Sequence, residues 1–97
     1  MDREIVWSVW ASDDLVSAAE YISRDSESYA ATVVRELVAA ARSLRAFAER
    51  GREVPEYDDP SIRELIVRRF RLVYRVLPER VEVLRIIHGA REMPPTV

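Results

Sequence analysis

Three β-type runs crowd into the C-terminal third of the chain, at residues 62–67, 70–77 and 81–88, and they constrain the fold more than any other feature. Each is rich in β-branched or aromatic residues, as strands are. Arginines are threaded through all of them: Arg63, Arg71, Arg75 and Arg85 fall inside the runs, and Arg68, Arg69 and Arg91 flank them. Small sheets usually keep such long cations at their margins. One face of the expected sheet therefore presents cationic forks.

Alternation sorts the middle run. Phe70, Leu72, Tyr74 and Val76 share one face, and Arg71, Val73, Arg75 and Leu77 share the other. The first set is expected to be core, with the Tyr74 hydroxyl needing a partner. Pro78-Glu79-Arg80 marks the last turn and has neither Gly nor Asn, so a loop longer than a tight two-residue hairpin is expected.

Upstream, residues 4–10 read as a further strand. Ser12 is a candidate N-cap, with Asp13 and Asp14 in the first turn, where the helix dipole favours anions. Leu15, Ala18, Ala19 and Ile22 then form one apolar stripe of a short helix ending near Arg24. Asp25-Ser26-Glu27-Ser28 is a polar break with cap candidates. A longer helix follows to about Arg50, with a stripe of Ala30, Val34, Leu37, Ala41, Leu44 and Ala48. Val33, Val38 and Phe47 widen that stripe, and Gly51 stops the helix as a C′ residue would. A two-proline loop spans 51–61, and the tail 93–97 is expected to be loosely ordered.

The expected fold is α+β, in the order β-α-α-β-β-β. A helical hairpin covers one face of a mostly antiparallel four-stranded sheet, and the other face is partly open. Residues 1–97 are expected to form a single domain.

Charge is unevenly distributed. Residues 1–60 carry seven Arg against thirteen Asp and Glu, while residues 61–91 carry eight Arg against three Glu. The basic part suits an anionic partner, and the acidic part weakens indiscriminate nucleic-acid binding. The chain has no cysteine, so disulfides and thiolate metal sites are excluded. His88 is the only histidine, which leaves no second His or Cys to complete a metal site with it. No metal and no cofactor are expected. No basic stretch followed by a long apolar run opens the sequence. Neither a signal peptide nor a membrane span is expected, and the cytoplasm is the expected location.

Each candidate residue has two readings. Arg71 and Arg75 either form an anion-recognition face or pair with acids such as Glu64 and Glu82. His88 is either a general acid–base or a structural strand-end residue. Arg91, just past Gly89, is either a clamp for phosphate or carboxylate or a solvated tail residue. Arg68 and Arg69 are either a solvated turn or, with Arg63 and Arg71, part of a positive patch.

Taken together, the helical hairpin, Gly51-Arg52-Glu53-Val54-Pro55-Glu56, the Phe70–Val76 run and the ending Ile86-Ile87-His88-Gly89-Ala90-Arg91 resemble the RelE/ParE toxin family. The resemblance spans nearly the whole chain. It implies the toxin of a type II toxin–antitoxin pair, bound in a hetero-oligomer by a cognate antitoxin. RelE-like members cut messenger RNA on the ribosome, whereas ParE-like members act on DNA gyrase and are not known as nucleases. Arg71 and Arg91 fall where the RNA-cutting branch places two active-site arginines. Ile62 and Glu64 stand where that branch carries lysines, and no tyrosine follows Tyr74. His88 matches the histidines of some relatives poorly. The ending Leu84-Arg85-Ile86-Ile87-His88 is closer to the ParE branch.

The resemblance therefore implies a gyrase inhibitor rather than an enzyme. Arg63, Arg68, Arg69, Arg71, Arg75 and Arg91 are its candidate contacts to target or antitoxin. The alternatives are a ribosome-dependent endoribonuclease using Arg71, Arg91 and His88, and an inactive toxin that keeps only antitoxin binding.

Overall fold

A computed structural model describes residues 2–97. The elements run β1 (Glu4–Trp7), α1 (Val9–Ser23), α2 (Glu27–Ser43), β2 (Arg52–Glu53), β3 (Ile62–Val67), β4 (Phe70–Val76) and β5 (Arg80–His88). The five strands form one sheet in the order β1-β5-β4-β3-β2. Only the β1–β5 pair is parallel. The architecture is the expected α+β one, with five strands instead of four. The extra strand is the two-residue β2, where Arg52 pairs with Glu64 and Glu53 with Arg63. A strand that short carries no periodicity for a sequence to reveal.

The first strand is shorter than expected, and α1 begins earlier. Ser8, not Ser12, is the N-cap: its Oγ accepts from Ala11 N–H at 3.0 Å and donates to the Leu84 carbonyl at 2.8 Å. That second bond, made across the sheet, selects Ser8. Trp10 consequently lies on α1 rather than on a strand and is 69% exposed. Ala11 becomes the first buried residue of the Leu15–Ile22 stripe, one turn earlier.

Ser26 caps α2 by accepting from Tyr29 N–H at 3.1 Å. The helix ends at Ser43, short of Arg50, and residues 44–50 form turns. Leu44 and Ala48 are buried there without being helical, whereas Phe47 is 69% exposed. Gly51 is therefore not a helix cap. It is glycine because of close approach: an added Cβ would lie 2.5 Å from both the Glu64 carbonyl oxygen and Tyr74 Oη. Its N–H donates to Tyr74 Oη at 3.0 Å, which satisfies the buried phenol.

Phe70, Leu72, Tyr74 and Val76 do face the helices, where they meet Leu37, Ala41, Val83 and Ile86. An irregularity between Val73 and Tyr74 in the β4–β5 register leaves Leu84 as an extra residue. It keeps both Val83 and Ile86 on the core face despite their odd spacing. The last hairpin is tighter than expected: Leu77 N–H donates to the Arg80 carbonyl at 2.9 Å, leaving only Pro78 and Glu79 between.

The opposite sheet face, expected to be partly open, carries a cover of its own. Val54, Ile62, Val73 and Ile87 form a second core, and Tyr57, Met93 and Val97 pack against it. The tail is thus docked rather than loose, and Tyr57 Oη donates to the Pro94 carbonyl.

Candidate functional site: the arginine-bearing sheet face

The register decides which arginines share a face. Arg71 pairs with Ile66 and Ile87, Val73 with Glu64 and Arg85, and Arg75 with Ile62 and Glu82. Arg71, Arg75 and Arg85 therefore lie on the face away from the helices. Arg63 pairs with Tyr74 and lies on the helix side, where its Nη1 donates to the Gly51 carbonyl at 2.9 Å.

Arg71 is the centre of a charge network. Its Nε donates to Glu64 Oε1 at 2.5 Å, and Nη1 and Nη2 donate to the two Glu56 oxygens at 2.8 Å each. Glu64 is 1% exposed, and its second oxygen accepts from Arg52 Nε at 2.7 Å. A carboxylate buried on an outer sheet face persists only because two guanidinium groups compensate it. The Glu56 carboxyl is held well below the usual range, at about 2, chiefly by the hydrogen bonds from Arg71. The same contacts, first those to Glu56 and then those to Glu64, push Arg71 upward, against the opposing effect of burial. Burial, aided by the Glu56 charge, raises the Tyr57 phenol beside them. Arg75 lies 3.9 Å from Glu82, a looser pairing. The pairing reading of Arg71 and Arg75 with Glu64 and Glu82 thus describes the geometry.

Arg68 is pinned to α2. Its Nε and Nη2 donate to the Glu36 carboxylate at 2.7 and 2.8 Å, and its guanidinium sits 5.2 Å from the Tyr29 ring centre. Arg68 also takes φ 53°, a left-handed conformation that a two-residue hairpin demands and that L-residues adopt at a cost. Arg69, by contrast, is exposed, and its carbonyl accepts from Gly89 N–H at 2.7 Å. That bond ties the β3–β4 turn to the end of β5, where Arg91 is also exposed. Arg91 borders a cleft of about 300 Å³ with Arg85, Ile87 and Pro94.

His88 pairs with Phe70 and so lies on the helix-side face, opposite Arg71. Its ring stands edge-on to Phe70 at 5.5 Å between centres, and its Nδ1 accepts from Ala90 N–H at 3.2 Å. The structure does not bring Arg71, Arg91 and His88 together. Among the described residues, no group of three or more His, Cys, Asp or Glu is placed to hold a metal ion.

Sequence reasoning missed two members of this face. Glu56 lies in a loop with no periodicity, and Asp14 lies on α1. Asp14 bridges to the sheet: its carboxylate accepts from Arg85 Nε at 2.7 Å, from Arg85 Nη2 at 3.1 Å and from Ile86 N–H at 2.9 Å. β1 ends at Trp7, so Asp14 satisfies the edge of β5 beyond it. The Arg85 guanidinium is pushed upward by those hydrogen bonds.

The family model for the ParE toxin of the type II toxin–antitoxin system parDE matches residues 5–93. The chain belongs to the ParE toxin family. Among solved structures, this ParE-family chain is similar to one described as the chromosomal ParDE TA system from P. aeruginosa. The two are 24% identical with a TM-score of 0.73, over 89% of this chain and 95% of that one. A YoeB/ParE toxin from Agrobacterium tumefaciens is 22% identical with a TM-score of 0.59, over 88% and 96%. These likenesses carry the fold. No curated protein matches the chain. No helix among the described residues is long and apolar enough to cross a membrane.

Proposed function

We propose that this ParE-family toxin is a DNA gyrase inhibitor, neutralised by a cognate antitoxin, that works by binding rather than by cutting RNA. In this reading residues 1–97 act as one domain in the cytoplasm. One observation carries it: the groups that RNA cleavage would require do not converge. A general acid–base must lie within hydrogen-bond reach of the proton it moves, and a phosphate clamp must offer free N–H groups. His88 lies on the opposite sheet face from Arg71, and every arm of the Arg71 guanidinium already donates to a carboxylate. The face has the chemistry of a structural network.

The cations that remain available point to the working surface. Arg69 and Arg91 are exposed and stand together at the end of the sheet, tied by the Gly89–Arg69 hydrogen bond. In this reading they contact the gyrase–DNA complex. Arg71, Arg63 and Arg68 shape the surface from behind, and Arg75 completes it.

The deciding experiment combines purified toxin, gyrase, ATP and supercoiled plasmid. Linear DNA after protein digestion is the expected result. Unbroken plasmid from a chain that still arrests growth would replace this reading with ribosome-dependent cleavage. A chain that binds antitoxin but arrests nothing would identify an inactive toxin.

A further inference from the structure

α1 and α2 run antiparallel, joined by residues 24–26. Each turns a stripe away from the sheet, and the two stripes differ in size and in sign. On α1, Val9, Asp13, Val16 and Glu20 recur at helical spacing and are all exposed. Val9 and Val16 are 73% and 56% exposed, and Trp10 and Tyr21 border them, also in water. A helix that leaves four large apolar side chains exposed lacks a cover. On α2, Ala31, Arg35, Ala39 and Arg42 form the corresponding stripe, again exposed throughout.

The charges on the two stripes are unspent. Among the described residues, none of Asp13, Glu20, Arg35 and Arg42 has an opposite charge within 4.0 Å. Their spacings also coincide. Asp13 and Glu20 are seven residues apart, as are Arg35 and Arg42, so each pair is separated by about 10.5 Å along its helix. Counted outward from the α1–α2 turn, the four fall in the order Glu20, Arg35, Asp13, Arg42, with acid and base alternating.

We infer that two copies of this chain pair through this face, hairpin on hairpin, about a twofold axis parallel to the helices. That axis lays α1 of each copy antiparallel on α2 of the other and keeps every residue at its own height. Asp13 then falls between the partner's Arg35 and the partner's Arg42, and Glu20 falls beside the partner's Arg35. The contact is isologous, so each pairing occurs twice. Val9 and Val16 meet the partner's Ala39 and the partner's Ala31, whose small side chains let the helices approach closely. A twofold perpendicular to the helices would instead set α1 on α1, with acid against acid.

The size of the face sets the strength. With 15 residues α1 is about 22 Å long, and two helices side by side are about 20 Å wide. The two copies together bury about 900 Å², close to the lower bound for a specific interface, so a weak, micromolar dimer is expected. The inference does not rest on the gyrase reading. Arg69 and Arg91 lie outside the contact, so the dimer presents two such pairs.

The test is sedimentation equilibrium of the full chain from about 1 to 500 µM. A monomer–dimer equilibrium that weakens with added salt is expected. Two charge-reversed variants decide the orientation: Asp13→Arg/Glu20→Arg and Arg35→Glu/Arg42→Glu. All four positions are exposed and outside the core, so both variants are expected to keep the parent's circular dichroism. Each alone is expected to self-associate at least about tenfold more weakly than the parent. Mixed in equal amounts they are expected to form a 1:1 dimer, because each reversed stripe then meets its complement. A parent that stays monomeric would overturn the inference, as would variants that dimerise like the parent or a mixture that stays monomeric. A monomeric parent whose charge variants both lose a cognate antitoxin would assign this face to the antitoxin and overturn the dimer.

Discussion

At the scale of single residues, Glu64 and Glu56 are two carboxylates on the same guanidinium with opposite energetic roles. Glu64 is buried between Arg71 and Arg52, so its removal leaves Arg71 partly uncompensated in a dry setting. Glu64→Ala should cost about 3–5 kcal/mol in urea denaturation. A loss under about 1 kcal/mol would mean that water replaces the carboxylate freely. Glu56 is two-fifths exposed, so Glu56→Gln should cost only about 0.5–1 kcal/mol. Its pH signature is more telling. The Glu56 carboxyl titrates at about 2 in the folded chain against an ordinary 4.5. Its contribution is therefore complete above pH 4.5 and is lost as pH falls from 4.5 through 2. Stability curves of parent and Glu56→Gln should converge over that window and run parallel above it. The Arg71–Glu64 contact was one of two readings the sequence left open, and the β3–β4 register, which turns both residues outward, decided it. The Glu56 contact was not legible, since loop residues have no face until the loop is placed.

At the scale of elements, the caps and the tail carry the tests. Ser8→Ala removes both the α1 cap and the tie to Leu84, and should cost about 1–2 kcal/mol in thermal or urea unfolding. Ser12→Ala should be near neutral, because Ser12 is an exposed residue inside the helix. Equal costs would contradict the placement of the helix start. Ser12 looked like a cap from the acids that follow it. Ser8 won because only there does the hydroxyl also reach the sheet, a contact 76 residues away in sequence. Removing residues 93–97 should uncover Val54, Ile62, Val73 and Ile87. Faster amide exchange is expected across residues 54–57 and at Ile87, with little change in α1 and α2. Uniform protection would show that the tail only rests on the face. Five tail residues without periodicity gave no sign of this; their burial depends on a sheet face whose other cover is equally aperiodic.

At the scale of the whole molecule, the acidic and basic parts of the chain neutralise each other in space. Acids from residues 1–60 reach arginines from residues 61–97 through Asp14–Arg85, Glu36–Arg68 and Glu56–Arg71. The surviving exposed cations at the sheet end are Arg69 and Arg91. Arg69→Ala/Arg91→Ala should fold with unchanged melting temperature and reduce gyrase-dependent DNA breakage about tenfold or more. Arg75→Ala should do far less, as Glu82 already faces it. Full activity in the double variant would move the working surface elsewhere. By itself, the sequence determined the element types, the helix-facing strip of β4 and the family, because periodicity and local chemistry are properties of adjacent residues. The tertiary structure alone decided the fifth strand, the covered outer face and the closure of Arg71 by Glu56. It also put His88 on the far side from Arg71. Each of those follows from register and from contacts between distant segments, which no local pattern encodes.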